Sequence, residues 1–230
     1  MTATPVPAAL SATPNASVVR LRVNEIFYSL QGETRSSGLP TVFVRLTGCP
    51  LRCGYCDTDY AFHEGNWMAL PEILTQVASY APRHVTVTGG EPLAQRASET
   101  LLTQLCDAGY DVSLETSGAL DISRVDVRTR IVMDIKTPGS GEDSRNDAAN
   151  LPLLKPADEI KFVICDRADY EWSRDYLQRE RLAERCEVLF SPVWGRLEAR
   201  DLAEWVLADR LPVRMQVQLH KLLWGETRGR

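Results

Sequence analysis

No stretch of 18 consecutive apolar residues occurs anywhere in the 230-residue chain, which excludes a transmembrane helix. Nor is there an excess of positive charge. The 26 Lys and Arg stand against 31 Asp and Glu, a net charge of −5, so a broad electrostatic hold on nucleic acid is not expected. Residues 1–17 contain no Lys or Arg and are interrupted by Pro5, Pro7 and Pro14. They therefore lack the basic start and unbroken apolar stretch of a secretion signal. This Ala-, Thr-, Pro- and Ser-rich stretch reads as a disordered tail, residues 18–230 as one domain, and the cytoplasm as the expected compartment. Six cysteines are not expected to pair as structural disulfides there, so their spacing becomes the informative quantity. Internal repeats and linkers are also missing.

Hydrophobic residues make up 44% of the chain and charged residues 25%, a globular composition long enough to bury one core. Runs rich in apolar and β-branched residues predict strands at 23–30, 41–47, 84–88, 111–115, 130–136, 159–164, 187–190 and 213–219. Helical periodicity falls between several of them. Residues 70–80 place Ile73, Leu74, Val77 and Ala78 on one face, with Pro71 in the first turn. Residues 98–108 align Leu101, Leu102, Leu105 and Cys106, with Ser98 as N-cap and Gly109 as stop. Weaker stripes cover 167–182 and 197–209. Alternation of this kind predicts an α/β fold with mainly parallel strands. The helices are too few for eight full units, so an incomplete, modified (β/α) partial barrel is expected. Residues 137–156 have no apolar period, and so long a structureless loop is expected to be functional or mobile.

The informative cysteines are Cys49, Cys53 and Cys56, spaced C-x3-C-x2-C in Gly48-Cys49-Pro50-Leu51-Arg52-Cys53-Gly54-Tyr55-Cys56-Asp57-Thr58. Three thiolates from one short loop can reach one metal centre. A structural zinc site or a fully ligated 4Fe–4S cluster needs four protein ligands. The sequence offers no nearby fourth cysteine, although His63 could complete a zinc site. A cluster held by three cysteines would leave one iron open. Cys106, Cys165 and Cys186 read as small buried hydrophobes.

The cysteine spacing, with Tyr55 before the last cysteine, resembles the signature of the radical S-adenosylmethionine (SAM) enzymes. Thr88-Gly89-Gly90-Glu91-Pro92 resembles that family's Gly-Gly-Glu-Pro turn. Further stretches narrow the resemblance: 25–33 (EIFYSLQGE), Phe43-Val44-Arg45-Leu46, Asp57-Thr58, Glu115-Thr116-Ser117-Gly118, 134–141 (DIKTPGSG), Glu159-Ile160-Lys161-Phe162-Val163, 216–221 (QVQLHK) and Trp224-Gly225. From about residue 22 to its end the chain is similar to the 7-carboxy-7-deazaguanine synthases. That resemblance implies a homodimeric partial barrel and three cofactors: a 4Fe–4S cluster, S-adenosyl-L-methionine and Mg²⁺. It implies conversion of 6-carboxy-5,6,7,8-tetrahydropterin into 7-carboxy-7-deazaguanine and ammonia, in queuosine or 7-deazapurine biosynthesis. It also implies that a SAM-derived radical abstracts hydrogen from C6 of the pterin, and that flavodoxin or ferredoxin supplies the electron.

Carried over residue by residue, the resemblance makes Cys49, Cys53 and Cys56 the cluster ligands and Thr58 a Mg²⁺ ligand, the alternative for Thr58 being a helix cap. It assigns SAM to Gly90, Ser117, Asp134, Ile135, Lys136 and the strand end Ser191, Pro192, Val193, Trp194, where core packing is the alternative. It assigns the pterin to Leu30, Gln31, Gly32, Glu33, Arg45, Thr88 and His220. Arg45 is suited to grip a carboxylate with its planar fork, or else lies on the surface. His220 is expected on the last strand, facing the pterin or serving structure. Some relatives have Ser-Pro-Lys at 134–136 or a different C-terminus, so no substrate contact is carried onto 225–230. Two other readings share parts of this pattern. A glycyl-radical-activating enzyme would share the cysteine loop but lack the pterin set, and a zinc-binding interaction module would need a fourth ligand.

Overall fold

A computed structural model describes residues 19–230; the tail expected at residues 1–17 lies outside the described residues. One nine-stranded sheet runs in the order β3-β1-β2-β4-β5-β6-β7-β8-β9. Its strands are β1 (Arg20–Leu30), β2 (Pro40–Leu46), β3 (Asn66–Ala69), β4 (His84–Gly89), β5 (Asp111–Thr116), β6 (Arg130–Ile135), β7 (Glu159–Ile164), β8 (Glu187–Pro192) and β9 (Arg214–Met215). From β2 through β9 every neighbouring pair is parallel, whereas β1 is antiparallel to both β2 and β3. Helices α1 (Leu70–Ser79), α2 (Ala97–Asp107), α3 (Arg167–Arg179) and α4 (Ala199–Asp209) connect the parallel strands, and α5 (Leu219–Trp224) follows the last.

The two-residue period of the strands sorts their side chains between two environments. In β6, Ile131, Met133 and Ile135 point outward into a core shared with the helices, while Val132 and Asp134 line the barrel interior. One core cluster, with Leu101, Leu102, Leu105, Ile73 and Val77, lies beneath α1 and α2. A second, with Phe162, Phe190, Tyr170 and Tyr176, lies beneath α3 and α4. Leu93 and Val125 pack against both. In α1 the Glu72 carboxylate accepts the Ala69 N–H at 2.7 Å, which satisfies a donor at the helix start.

An open sheet leaves three ways into its interior, and two of them are closed. The turn at 31–39 follows the register pairs Leu30↔Pro40 and Thr41↔His84, which place it at the N-terminal ends of the parallel strands. It plugs that end: the Arg35 N–H donates to Glu159 at 2.8 Å, the Arg35 guanidinium lies 3.3 Å from both Glu159 and Glu187, and Arg130 donates to Ser36 at 2.7 Å. The side gap is bridged by the C-terminal segment, where Gln216 N–H donates to Phe190 O at 3.0 Å and Leu219 N–H donates to Gly32 O at 2.9 Å. At the opposite end the loops after the strands form the mouth.

Several elements differ from their sequence-based expectation. The last strand is only Arg214–Met215, and residues 219–224 are helix α5, so His220 sits on a helix and not on a strand. The cause is tertiary, because the chain leaves the sheet edge to reach Gly32. Strand β3 was not foreseen; it is four residues long and pairs with the start of β1. Ser98 does not cap α2, whose first residue is Ala97, and its buried hydroxyl has no partner. Residues 137–156 are not structureless. They form short 3₁₀ turns at Pro138–Ser140, Asp143–Arg145 and Ala148–Leu153, held by polar side chains and not by an apolar stripe. Buried Asn150 bonds to Gly118 O, Leu120 O and Ile122 N, and Asn146 bonds to both backbone groups of Lys136.

Leu114 is fully buried on the outward face of β5. Leu114→Ala is expected to lower stability by about 2–5 kcal/mol, read from the denaturant midpoint with an unchanged m-value.

Candidate active site

A cavity of about 800 Å³ opens at the C-terminal ends of the parallel strands, within the range usual for small-molecule sites. Cys49, Cys53 and Cys56 all line it, each half-buried and unpaired. Backbone bonds hold their loop: Gly48 N–H to Ala61 O at 2.9 Å, Gly54 N–H to Ser140 O at 3.0 Å and Glu91 N–H to Gly48 O at 2.8 Å. Gly90 packs so tightly on this loop that a Cβ there would strike the Gly48 carbonyl and Cys49. The Gly-Gly-Glu-Pro turn and the cysteine loop are therefore one packed unit. Fully buried Glu91 joins that unit to β5, accepting from Ser117 N (2.7 Å), Ser117 Oγ (2.6 Å), Thr116 Oγ1 (2.9 Å) and Leu93 N (3.0 Å). Ser117 lines the cavity, but its hydroxyl and amide are both engaged by Glu91.

The donor set fits an iron–sulfur cluster better than zinc. Among the described residues no three His, Cys, Asp or Glu side chains converge as they would around a single metal ion. His63, the candidate fourth zinc ligand, is exposed and does not line the cavity. Three soft thiols with no fourth protein donor match a cluster with one open iron. Burial pushes the Cys49 thiol up and the Cys53 thiol up to about 11, and the nearby Lys136 charge opposes both shifts. Metal binding must displace those protons.

Below the thiols the interior is polar and charged. Glu115 accepts from Gln31 Nε2 at 3.1 Å and from Thr88 Oγ1 at 2.9 Å. Gln31 Oε1 accepts the Glu33 N–H at 3.2 Å, so its amide is largely engaged within the protein. Glu33 pairs with Lys161 at 2.6 Å; Lys161 lies 3.6 Å from Asp134, and Lys136 lies 3.1 Å from Asp134. Burial alone would raise the Glu33 carboxyl, but Lys161's charge and hydrogen bond outweigh it and hold the group below the usual carboxylate range. Burial likewise opposes the charge on Lys136 and Lys161, yet Asp134 and Glu33 keep both ammoniums protonated. Asp134 Oδ1 is buried without a protein partner.

Arg45 lies at the mouth with its Nε 2.8 Å from Glu25 and its guanidinium over the Phe27 and Tyr60 rings, at 5.6 and 6.0 Å. Its terminal nitrogens have no protein partner among the described residues. Thr58 occupies the cap position before the short turn Asp59–Phe62, but its hydroxyl makes no capping bond and lies 3.8 Å from Cys56 Sγ. His220 lines the cavity and abuts Gly32, where a Cβ would overlap its ring. Burial holds its imidazole below the ordinary value, against the pull of Glu33 and Asp57.

Leu30, Gly32, Val193 and Trp194 also border the cavity. Ile135 does not, because the strand period turns its side chain into the outer core; any cofactor contact there is through backbone. Ser191 and Pro192 are buried behind the wall and do not line it. Sequence reasoning missed Glu115, Lys161, Asp57 and Lys221 as site residues. The available signal was a charge flanked by apolar residues inside a strand, Lys161 between Ile160 and Phe162, which must find a buried partner. The segment 225–230 also borders the cavity, with the Arg228 guanidinium 3.7 Å from the centre of the Tyr60 ring and 3.2 Å from Glu64.

The family model for the radical SAM superfamily matches residues 43–183. The chain is 48% identical over 213 residues to the 7-carboxy-7-deazaguanine synthase of Chlorobaculum tepidum, covering 91% of this chain and 97% of that one. The chain belongs to the 7-carboxy-7-deazaguanine synthases of the radical SAM superfamily. The corresponding protein of Koribacter versatilis is 41% identical, with 91% and 100% covered. The crystal structure of QueE from Escherichia coli has the same partial-barrel fold, with a TM-score of 0.71 at 24% identity over 87% of this chain and 95% of that one. Membership in the superfamily implies a 4Fe–4S cluster and SAM.

Cys49→Ala, Cys53→Ala and Cys56→Ala are each expected to abolish iron and sulfide binding, because three ligands leave no spare. Cys106→Ala, away from the cavity, is expected to keep both, as measured by anaerobic iron and sulfide assay.

Proposed function

We propose that this cavity carries out the family's reaction, conversion of 6-carboxy-5,6,7,8-tetrahydropterin into 7-carboxy-7-deazaguanine and ammonia, with the pterin held between the polar interior and the cysteine loop. The observation that carries this reading is the placement of three free thiols and the polar set Gln31, Glu33, Thr88, Glu115 and His220 around one cavity. When bound, the cluster and SAM supply a 5′-deoxyadenosyl radical. The protein's own work is to bind, orient and keep the site dry. Arg45 grips the substrate carboxylate with the terminal nitrogens that Glu25 leaves free. The Glu25 bond and the two aromatic rings fix the plane of that fork. Glu33 and Glu115 accept N–H groups of the pterin ring, and His220, neutral at pH 7, offers one donor and one acceptor. Gly90, Lys136, Asp134 and the backbone at Val193 and Trp194 form the SAM wall. The 31–39 plug and α5 exclude water and competing hydrogen donors.

Thr58 would hold Mg²⁺ beside the cluster loop through its hydroxyl oxygen, and the ion would there help bind and orient the substrate carboxylate. Its hydroxyl is free of capping duty, which supports this role. A homodimer and a flavodoxin- or ferredoxin-type electron donor, working in the cytoplasm, complete the proposal. They rest on the family resemblance. No helix among the described residues is long and apolar enough to cross a membrane. A protein substrate, as for a glycyl-radical activator, needs an open groove, whereas the plug and α5 close two sides.

The direct test is anaerobic turnover of the carboxytetrahydropterin with SAM and reductant, assayed for the deazaguanine; no product with a full cluster would refute the reading. Arg45→Lys keeps the charge but loses the fork. It is expected to weaken pterin affinity roughly ten- to over a hundred-fold, the equivalent of about 1.5–3 kcal/mol for a charge-assisted hydrogen bond. SAM affinity should barely change, and both constants are read by titration.

Thr58→Val preserves shape and removes only the oxygen. A large fall in turnover with a weakened response to added Mg²⁺ is expected, while the cluster spectrum and SAM binding stay intact. Wild-type turnover with wild-type Mg²⁺ response would move the metal elsewhere.

A further inference from the structure

Helix α5 is a short element with little to hold it. Of its six residues only Lys221 is buried, and Leu222 and Leu223 face solvent at 58% and 51% exposure. A helix this short has marginal stability on its own, so its position depends on its attachments. Two of these flank His220 in sequence. On one side the Leu219 N–H donates to the carbonyl of Gly32 in the plug, at 2.9 Å. On the other, the Lys221 ammonium lies 2.9 Å from Asp57 Oδ2 in the cysteine loop, with the lysine side chain 9% exposed. Asp57 stands between Cys56 and Thr58. The imidazole of His220 lies against Gly32, where only a missing side chain leaves room for it.

We propose that Lys221 is a positioning residue: its ion pair with Asp57 ties α5 to the cysteine loop and thereby sets where His220 meets the substrate. The inference rests on the reading of His220 as a pterin contact. Its physical basis is leverage. His220 and Lys221 are adjacent on one turn of helix, so the pair with Asp57 fixes both the distance of that turn from the loop and its rotation about the helix axis. Without the pair, α5 itself keeps one hydrogen bond to the rest of the fold, Leu219 N–H to Gly32 O, while the flanking anchors, Gln216 N–H to Phe190 O and Arg228 to Glu64, hold the segment outside the helix, so the turn that carries His220 is free to rotate. A partly buried ion pair loses more when one partner is removed than an exposed one does, because the other charge is left uncompensated. The pair also links the element that touches substrate to the loop that carries the cluster, so that substrate and cluster keep one fixed separation.

The test compares Lys221→Met, Lys221→Arg and His220→Ala in the anaerobic holoenzyme. It measures pterin KM, kcat, SAM affinity, the cluster spectrum and hydrogen exchange of the amides at 219–224. Lys221→Met keeps the buried stem and removes the charge. It is expected to raise the pterin KM about ten-fold, the scale of one charge-assisted hydrogen bond, with SAM affinity and the cluster spectrum unchanged and exchange at 219–224 accelerated. Lys221→Arg can still pair with Asp57 and is expected to restore both slow exchange and low KM. Should Lys221→Met fail to fold, Lys221→Arg decides alone: slow exchange with a raised KM would overturn the proposal, and slow exchange with wild-type KM would support it. Faster exchange in Lys221→Met with wild-type KM would reduce the pair to a tether with no positioning role, and unchanged exchange would remove the tether itself. If His220→Ala leaves KM unchanged, it is the pterin role of His220 that fails. If His220→Ala raises KM and Lys221→Met does not, only the positioning inference fails.

Discussion

A parallel sheet that does not close on itself exposes its inner face, and every other feature of this protein follows from how that opening is sealed. Seven parallel strands, β2 and β4 through β9, curve around an interior lined with charge. Water in that interior would screen the charges; limiting its access keeps electrostatic interactions strong. Two segments close it, the 31–39 turn at the base and the C-terminal segment at the side, and the cysteine loop borders the open mouth. Each also brings side chains to the cavity, so closure and cavity lining arise together. Gln31 and Glu33 arrive with the plug, His220 with α5, and the three thiols with the loop.

The sealed interior would be unstable if its charges were unpaired. Glu33, Lys161, Asp134 and Lys136 form a chain in which each charge has an opposite neighbour within 3.6 Å. Burial disfavours the charge on Glu33, Lys161 and Lys136, and the opposite charge beside each outweighs it. Glu115 and Glu91 divide the remaining tasks. Glu115 sets the orientation of Gln31 and Thr88 from the cavity floor, whereas Glu91 is wholly engaged in fastening the glycine turn to β5. Two glutamates on successive strand ends thus differ in function because one faces a cavity and the other a ring of backbone and hydroxyl donors.

The local code was readable wherever a residue's role depends on its near neighbours in sequence. The C-x3-C-x2-C loop, the Gly89-Gly90 turn, the apolar stripes of α1 and α2 and the β-branched strands could all be placed without a structure. So could the partial-barrel class, from the alternation of elements. Legibility ended where long-range contacts decide. Residues 137–156 looked structureless because Asn146 and Asn150 order them through distant backbone groups. Residues 216–221 have a strand-like pattern, yet the pull towards Gly32 and Asp57 turns 219–224 into a helix. Ile135 was read with its neighbours as a cofactor residue; strand parity sends its side chain outward, which leaves only its backbone for that role.

The amino-acid sequence by itself determined the cofactor chemistry and the family, because a cluster-binding loop is a short, contiguous arrangement of thiols and glycines whose geometry is set by covalent spacing. Only the tertiary structure decided which charges face one another, that Glu115 bridges Gln31 and Thr88, that Ser117 is engaged by Glu91, and that Lys221 reaches Asp57. Glu115 and Gln31, Glu115 and Thr88, Ser117 and Glu91, and Lys221 and Asp57 are separated by 26 to 164 residues in the chain, and nothing in local propensity specifies such a pairing. It emerges when burial forces each charge or donor to find its complement within a closed interior.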